Sequence, residues 1–245
     1  MKFDYERDTR RFYQDDAKAQ RYHDMFTSPG GWRNLPSRVV AHRERRVVQA
    51  LLARVPHASA LDIPAGTGKL ASVFASLGTR VVASDIAPSM LKRAESEYRK
   101  AGYAQIDCRI ADAADLACFG DDAFDVTVCL RLMHRVPASL RESMLREFAR
   151  VAPYALVSFG IENGFHRMRR AARAAIFGGL KDGLCFCSSA EARAELEPLF
   201  EIVAKIWIAP ALSQEVIFLL RSKPQRTRNG HAARGAAPGL SDTSR

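Results

Sequence analysis

Strand-like apolar runs alternate with helical patterns from about residue 58 to 160, and this alternation constrains the fold more than any other feature of the chain. It is typical of a parallel sheet with helices on its faces. The runs predict five strands, and the stretches between them predict three helices. The strands are Ala60–Ile63, Arg80–Ser84, Gln105–Ile110, Phe124–Leu130 and Tyr154–Phe159, and the helices are Lys69–Ser76, Ser89–Ala101 and Ala138–Val151.

The segments after the fifth strand break this pattern. Residues 164–176 are basic with helical spacing, and three glycines follow within a few residues. Ser188 or Ser189 can cap a further helix. Two last strands, Phe200–Ile208 and Glu215–Arg221, are joined by a short connection that contains proline. They predict an antiparallel hairpin at the edge of the sheet.

The predicted fold class is therefore α/β, with a Rossmann-like, seven-stranded, mostly parallel sheet and an antiparallel C-terminal hairpin. Residues 1–37 are predicted to form an N-terminal helical lid. The sheet domain is predicted to span 38–223, with a cap insertion at 161–186 that carries a small helix. Residues 224–245 are rich in Gly, Ala, Arg and Ser without an apolar period, which predicts a disordered basic tail.

Composition limits the partners and the cellular location that can be predicted for the protein. The formal net charge of +10 would suit a nucleic acid or an anionic membrane, but the excess is spread along the chain and indicates neither partner alone. No apolar run reaches the length of about eighteen residues that predicts a membrane span. The N-terminus lacks the apolar stretch of a secretory signal, so we predict a cytoplasmic protein. The five cysteines include no C-x-x-C pair, which predicts reduced thiols and no metal site.

A glycine-containing turn follows the first predicted strand, within the segment Leu61-Asp62-Ile63-Pro64-Ala65-Gly66-Thr67-Gly68-Lys69-Leu70. Glycine lets the backbone approach a ligand closely, and the next helix presents free N–H groups to it. A phosphate-binding Walker loop is excluded, because Ile63 replaces its first glycine and Leu70 replaces its Ser or Thr. A dinucleotide site stays open, because Gly66-x-Gly68-x-x-Ala71 fits its pattern. A turn that binds nothing stays open as well.

Three further segments separate these alternatives. Val82-Ala83-Ser84-Asp85-Ile86-Ala87-Pro88-Ser89-Met90-Leu91 ends the second strand on an acid, and Ala111-Asp112-Ala113-Ala114-Asp115-Leu116 follows the third strand. The fourth strand closes just before Leu132-Met133-His134. With the glycine turn, these segments resemble the motifs of the class I, ubiquinone- and menaquinone-biosynthesis-like small-molecule methyltransferases, over about residues 40–222 and in the family's order. One departure is Pro64, which stands where the family usually has its first glycine.

The resemblance implies S-adenosylmethionine as the cofactor. Asp62 would lie near its methionine amino group, and Asp85 would accept hydrogen bonds from both ribose hydroxyls. Asp112 would contact the adenine amino group, while Ile86 and Met90 would lie against the adenine ring. The cofactor-binding residues implied in this way are Asp62, Ala65, Gly66, Gly68, Asp85, Ile86, Met90, Asp112, Ala113 and Leu130.

The acceptor is expected to enter over the carboxyl ends of strands four and five, where open α/β sheets place ligands. There His134 could act as a general base or orient the acceptor, or it could simply form local hydrogen bonds. Arg131 could pair with an anionic acceptor, although a surface arginine would explain it equally well. Tyr22 belongs to a set of N-terminal aromatic residues that, in similar enzymes, line the acceptor pocket from a lid. Those rings could instead pack a helix onto the sheet.

The predicted function is methyl transfer from S-adenosylmethionine to oxygen, nitrogen or carbon of a small-molecule or lipid-like acceptor. The basic segment 164–176 could also contact an anionic membrane, or present a solvated face. An RNA methyltransferase, a non-catalytic Rossmann-like binding module and an NADP-binding oxidoreductase are the alternatives. The absence of an Asn-Pro-Pro-Tyr-type signature and of a Pro-Cys nucleophile argues against nucleic acid as the acceptor.

Overall fold

The structure, a computed structural model of the 245-residue chain, describes residues 35–162, 164–168, 171, 185–210 and 212–224. Nearly all of the predicted N-terminal lid and of the predicted tail lies outside the described residues. Most of the predicted cap insertion does too, apart from a helical stretch at 164–168 and the residues at its two ends.

Seven strands in the described part of the chain form one sheet. They are β1 (Ser59–Asp62), β2 (Arg80–Asp85), β3 (Asp107–Ile110), β4 (Val126–Cys129), β5 (Tyr154–Gly160), β6 (Phe200–Trp207) and β7 (Glu215–Ser222). Their spatial order is β3-β2-β1-β4-β5-β7-β6. The first five strands pair in parallel, and β7 lies antiparallel to both β5 and β6. The predicted fold class and its C-terminal antiparallel hairpin are confirmed.

Helices connect and cover these strands. They are α1 (Leu35–Leu52), α2 (Ala71–Leu77), α3 (Pro88–Lys100), α4 (Ala138–Val151) and α5 (Ser189–Leu196), with a 3₁₀ turn at Met133–Arg135. Helix α3 begins with Pro88 at its first position, where the missing N–H costs nothing. Ser188 caps α5 in a reciprocal arrangement with Glu191, as the Ser188 alternative predicts.

The core lies on both faces of the sheet. Successive strand residues point to opposite faces, so Leu61 and Ala60 of β1 belong to two different buried clusters. One cluster packs the sheet against α4 and α5, and the other packs it against α1, α2 and α3. Strand β4 is buried along its whole length, as expected for a central parallel strand. The sheet is therefore a rigid support whose carboxyl edge carries the loops discussed below.

Three predicted strands are longer than the observed ones, and one of them, β6, ends at Trp207, a single residue before its predicted end. The third strand, β3, begins at Asp107, because pairing with β2 starts at Val82 and Asp107. The fourth begins after Phe124, whose ring packs edge-on against Phe119 with centroids 5.2 Å apart. That strand also ends before Leu130, and the chain leaves it through a left-handed residue, Arg131, with φ of 61°.

Candidate cofactor and acceptor site

The carboxyl ends of β1, β2 and β4 bring the predicted binding residues to one edge. β1 lies between β2 and β4, and Asp62 at its end pairs in register with Ala83 and Val128. Asp85 ends the neighbouring β2. The segment that begins at Ala111 is attached beside it, because the Ala111 N–H donates to the Asp85 carbonyl at 3.3 Å. The arrangement matches the position where open α/β sheets bind ligands.

The glycine turn is held in place by backbone hydrogen bonds. Ala65 N–H donates to the Ser84 carbonyl at 2.8 Å, and Gly68 N–H donates to the Ala65 carbonyl at 2.9 Å. Gly66 and Gly68 both adopt left-handed backbone conformations, with φ of 56° and 73°. The peptide bond before Pro64 is cis, an isomer that the sequence analysis did not consider.

The two glycines have different surroundings. A Cβ atom at Gly68 would stand 2.9 Å from the Cβ of Glu97 and 3.0 Å from backbone atoms of Ala94, both on α3. A Cβ atom at Gly66 would meet no atom of the described residues within 4 Å. Gly68 is therefore required by packing of the turn on α3, whereas Gly66 leaves open space where a ligand can approach the backbone.

Asp85 joins the glycine turn to the end of β2. Its carboxylate accepts hydrogen bonds from the backbone N–H groups of Gly66 and Ala87, each at 2.9 Å. Burial raises its pKa to about 6, although the bonds from Ala87, Gly66 and Ile86 oppose that shift. The group is therefore mostly ionised at neutral pH, with lone pairs left for hydroxyl donors.

Asp62 is buried at the entrance to the glycine turn, where it meets a residue that the sequence analysis missed. The hydroxyl of Tyr98 donates to its Oδ2 at 2.7 Å. Burial raises the pKa of Asp62 to about 7, the Tyr98 bond opposes this shift, and the nearby Asp85 adds to it. Tyr98 lies on the buried face of α3, so its sequence context indicated only a core aromatic residue.

The remaining predicted cofactor residues line the same edge. Asp112 is partly exposed, and its Oδ1 accepts a hydrogen bond from Ala114 N–H at 2.9 Å. Ala113 is buried in the same loop. Ile86 is partly exposed, whereas Met90 is only 3% exposed.

Arg131, predicted as a partner for an anionic acceptor or as a surface arginine, is engaged in ion pairs within the protein. It forms ion pairs with Glu44 of α1 and, at 3.4 Å, with Glu215 of β7. Its backbone N–H donates to Ser158 Oγ at 2.7 Å. Burial and the neighbouring Glu44 raise the pKa of Glu215 to about 7. We call Glu44, Arg131 and Glu215 the carboxylate–arginine cluster. Neither acid was predicted as a site residue from the sequence.

His134 lies in the 3₁₀ turn just past β4. Its ring stacks nearly parallel to that of Phe186, with centroids 6.2 Å apart, and its carbonyl accepts a hydrogen bond from Cys185 N–H at 2.7 Å. Gly160 makes this contact possible, because a Cβ there would stand 2.6 Å from Phe186 and 2.8 Å from His134. Burial, helped by Arg135 and Arg131, lowers the pKa of His134 to about 3. The ring is therefore neutral at physiological pH, and its Nδ1 has no hydrogen-bond partner in the described part of the chain.

Other sequence predictions concern features outside this edge. Tyr22 lies outside the described residues, while Leu130 is partly exposed where β4 ends. All five cysteines are free thiols. Among the residues that the structure describes, no cluster of His, Cys, Asp or Glu side chains could hold a metal ion. Within the same residues, no helix has both the length and the apolar character needed to cross a membrane.

Part of the sheet region is similar to known protein sequences. Residues 60–153 match the model of the methyltransferase domain family. The ubiquinone biosynthesis O-methyltransferase of Xanthomonas campestris pv. campestris (strain B100) is 34% identical over 86 residues, which are 35% of this chain and 36% of that protein. The enzyme of the same name from Xanthomonas euvesicatoria is 35% identical over 80 residues, or 33% of each chain. The similarity thus spans about a third of the length of these curated relatives.

Solved structures share the fold over most of the chain. The crystal structure of magnesium protoporphyrin IX methyltransferase from Synechocystis PCC 6803 with bound SAH has a TM-score of 0.73 and 20% identity, covering 87% of this chain and 98% of that one. A possible histamine N-methyltransferase from Thermotoga maritima has a TM-score of 0.62 and 17% identity, covering 86% and 100%. At these identities the likeness establishes the fold.

Proposed function

We propose that this chain is a class I S-adenosylmethionine-dependent methyltransferase, which transfers a methyl group from S-adenosylmethionine to a small-molecule or lipid-like acceptor. The observation that carries the proposal is the hydrogen bond from Gly66 N–H to the Asp85 carboxylate. This bond makes the glycine turn and the acid that ends β2 one unit at the carboxyl edge of the sheet.

The side chains at this edge fit the cofactor. The buried Asp62 carboxylate complements an ammonium group, and Asp85 retains lone pairs for two ribose hydroxyls. Asp112 uses one oxygen for Ala114 N–H and keeps the other for an exocyclic amino group. The open space at Gly66 admits the ligand against the backbone. We assign cofactor binding to Asp62, Ala65, Gly66, Gly68, Asp85, Ile86, Met90, Asp112, Ala113 and Leu130.

Alignment is the main contribution of the chain to the reaction. When bound, the cofactor supplies an electrophilic methyl group on a sulfonium. The chain fixes the cofactor from β1 and β2 and leaves the ends of β4 and β5 for the acceptor. Holding the two reactants in line removes much of the entropic cost of a bimolecular displacement.

We assign His134 to orienting the acceptor. Its burial disfavours the imidazolium form, so the ring is a poor store for a proton but a good neutral hydrogen-bond partner. Its Nδ1 has no partner among the described residues and is available to an acceptor hydroxyl or amine. Arg131 contributes indirectly, because its ion pairs fix the loop that leads to His134.

A small aromatic or lipid-like acceptor is supported by the relatives, whose names place them in ubiquinone biosynthesis and in protoporphyrin methylation. We propose residues 1–37 as a lid over this acceptor and 161–186 as a cap beside it, on the 38–223 methyltransferase domain. Contact of the basic cap with an anionic membrane and a cytoplasmic location stay predictions from the sequence.

The test is calorimetric titration of the purified chain with S-adenosylmethionine and S-adenosylhomocysteine, with NADPH as the control ligand. We expect the two adenosyl ligands to bind and NADPH to give no heat of binding. Binding of NADPH alone would replace the proposal with an oxidoreductase. Transfer of labelled methyl groups to a panel of aromatic hydroxyl, amine and carboxylate acceptors, with total RNA as a separate arm, then tests the acceptor class.

A further inference from the structure

Helix α3 contacts the glycine turn at two points. Ala94 lies so close to Gly68 that a Cβ at Gly68 would stand 3.0 Å from its backbone. Tyr98 follows one helical turn later on the same face, because residues four apart are neighbours along a helix. Its hydroxyl reaches Asp62, which precedes the glycine turn. One face of α3 thus fixes both the beginning and the end of the turn.

The hydroxyl of Tyr98 has a role that packing does not explain. The Tyr98 ring is fully buried, stacked on Phe74 with centroids 6.4 Å apart and edge-on to Tyr103 at 5.3 Å. A phenylalanine would make the same ring contacts. A buried hydroxyl needs a hydrogen-bond partner, and the hydroxyl of Tyr98 finds this partner in the Asp62 carboxylate.

Asp62 depends on this bond more than Asp85 depends on any single donor. Asp85 accepts from several backbone N–H groups, those of Gly66 and Ala87 at 2.9 Å each, whereas Tyr98 is the one donor to the Asp62 carboxylate among the described residues. A buried carboxylate that has one donor and an acidic neighbour tends to hold its proton. The protonated form could not attract an ammonium group.

We propose that Tyr98 is a positioning residue of the cofactor site, whose hydroxyl holds the Asp62 carboxylate in the orientation and ionised form that pairs with the ligand's ammonium group. This inference rests on the proposed function. Its consequence is that ligand binding releases a proton. Where Asp62 is protonated in the free protein, its proton passes to solvent as the carboxylate pairs with the ammonium group.

Among the described residues, four titratable groups interact with Asp62, namely Asp85, Tyr98, Tyr103 and Cys129. Burial raises the pKa of Tyr103 to about 12 and raises those of Tyr98 and Cys129 beyond their ordinary ranges. None of those three titrates near neutrality. Asp85, with a pKa raised to about 6, titrates just below neutral pH. None of the variants in the test experiment replaces Asp85 or its hydrogen-bond donors, so its titration should change only through its electrostatic interaction with Asp62.

The experiment is calorimetric titration of the full chain with S-adenosylhomocysteine from about pH 6 to about pH 8, in buffers of different ionisation enthalpy. Tyr98→Phe is the test variant. Tyr103→Phe is the matched control, because it removes a hydroxyl that donates to the Thr79 carbonyl at 2.6 Å and forms no hydrogen bond with Asp62. The ligand's own ammonium titrates identically in every variant and cancels in the comparison.

For the wild type, we expect proton release that disappears as the pH rises through the pKa of Asp62, at about 7. In Tyr98→Phe this midpoint should rise by about one unit, because a hydrogen bond to the charged form has been lost. Affinity near neutral pH should then fall about fivefold. Tyr103→Phe should keep the wild-type midpoint. In an Asp62→Asn background, Tyr98→Phe should leave proton release unchanged.

A wild-type midpoint retained in Tyr98→Phe would overturn the inference, as would the absence of proton release from the wild type. Carbon-detected NMR of the Asp62 carboxyl in the ligand-free protein provides a second readout. It should show the same upward shift in Tyr98→Phe. If S-adenosylhomocysteine fails to bind while this shift is present, the proposed function is wrong and the coupling of Tyr98 to Asp62 is right.

Discussion

Substituting alanine at each glycine of the turn in separate variants should give opposite results. Both residues have left-handed backbones, so alanine carries a similar conformational cost at each, about 1–2 kcal/mol. Loss of chain entropy in the unfolded state offsets about 0.4–1 kcal/mol of that cost. The two variants differ in what the new methyl group meets.

At Gly68 the methyl group would stand 2.9 Å from Glu97 Cβ and 3.0 Å from the Ala94 backbone. Because Ala94 lies inside α3, its backbone cannot move without displacing the helix, and overpacking of this kind costs about 1–3 kcal/mol. Gly68→Ala should therefore reduce the free energy of unfolding by about 1–5 kcal/mol in total. At Gly66 the methyl group meets no described residue, so the loss should stay at or below about 1.6 kcal/mol.

The order reverses for ligand binding. In Gly66→Ala the methyl group fills the space that we assign to the ligand, so affinity for S-adenosylhomocysteine should fall at least about tenfold. Urea denaturation measures the loss of stability, and calorimetry measures the loss of affinity for S-adenosylhomocysteine. The reasoning is refuted if Gly66→Ala binds as the wild type does, or if the two variants lose equal stability.

Three further variants test the roles of Asp85, His134 and Glu215. Asp85→Asn should weaken S-adenosylhomocysteine binding by about 1–3 kcal/mol, because one oxygen of the carboxylate becomes a donor facing N–H and O–H donors, and calorimetry checks this. His134→Phe should lower the methyl-transfer rate without changing cofactor affinity, and a parallel loss of affinity would contradict its acceptor role. Glu215→Gln should flatten the pH dependence of stability. The raised pKa of Glu215 means that its contribution to stability is complete below its ordinary pKa of 4.5 and is lost as the pH rises through about 7. Urea denaturation from about pH 5 to about pH 8 should therefore show a smaller decline for Glu215→Gln than for the wild type.

The sheet was predictable because its pattern is local. Apolar runs such as Tyr154–Phe159 and amphipathic stretches such as Ala138–Val151 carry their periodicity in neighbouring residues, and both appear close to their predicted bounds. Residues 60–153 match the methyltransferase domain family, in agreement with the prediction for that part of the chain. The family's motifs are short, ordered segments that a single sequence displays, apart from Pro64 in place of the usual first glycine.

The contacts between distant segments were not predictable. Glu44 resembles a member of the polar face of an amphipathic helix, and Glu215 resembles the first residue of an edge strand. Only the folded sheet brings both to Arg131. The left-handed backbone of Arg131 also has no signal in its residue type, since arginine rarely adopts it. Tyr98 could be recognised as buried from its spacing, but its partner Asp62 belongs to another element.

The most direct test of the central claim is a crystal structure of the protein with S-adenosylhomocysteine. In that structure we expect the ribose hydroxyls within hydrogen-bond distance of Asp85, the ligand's amino group beside Asp62, and the ligand in contact with the Gly66 backbone. A ligand bound elsewhere, or one whose ribose lies away from Asp85, would contradict the assignment of this edge as the cofactor site.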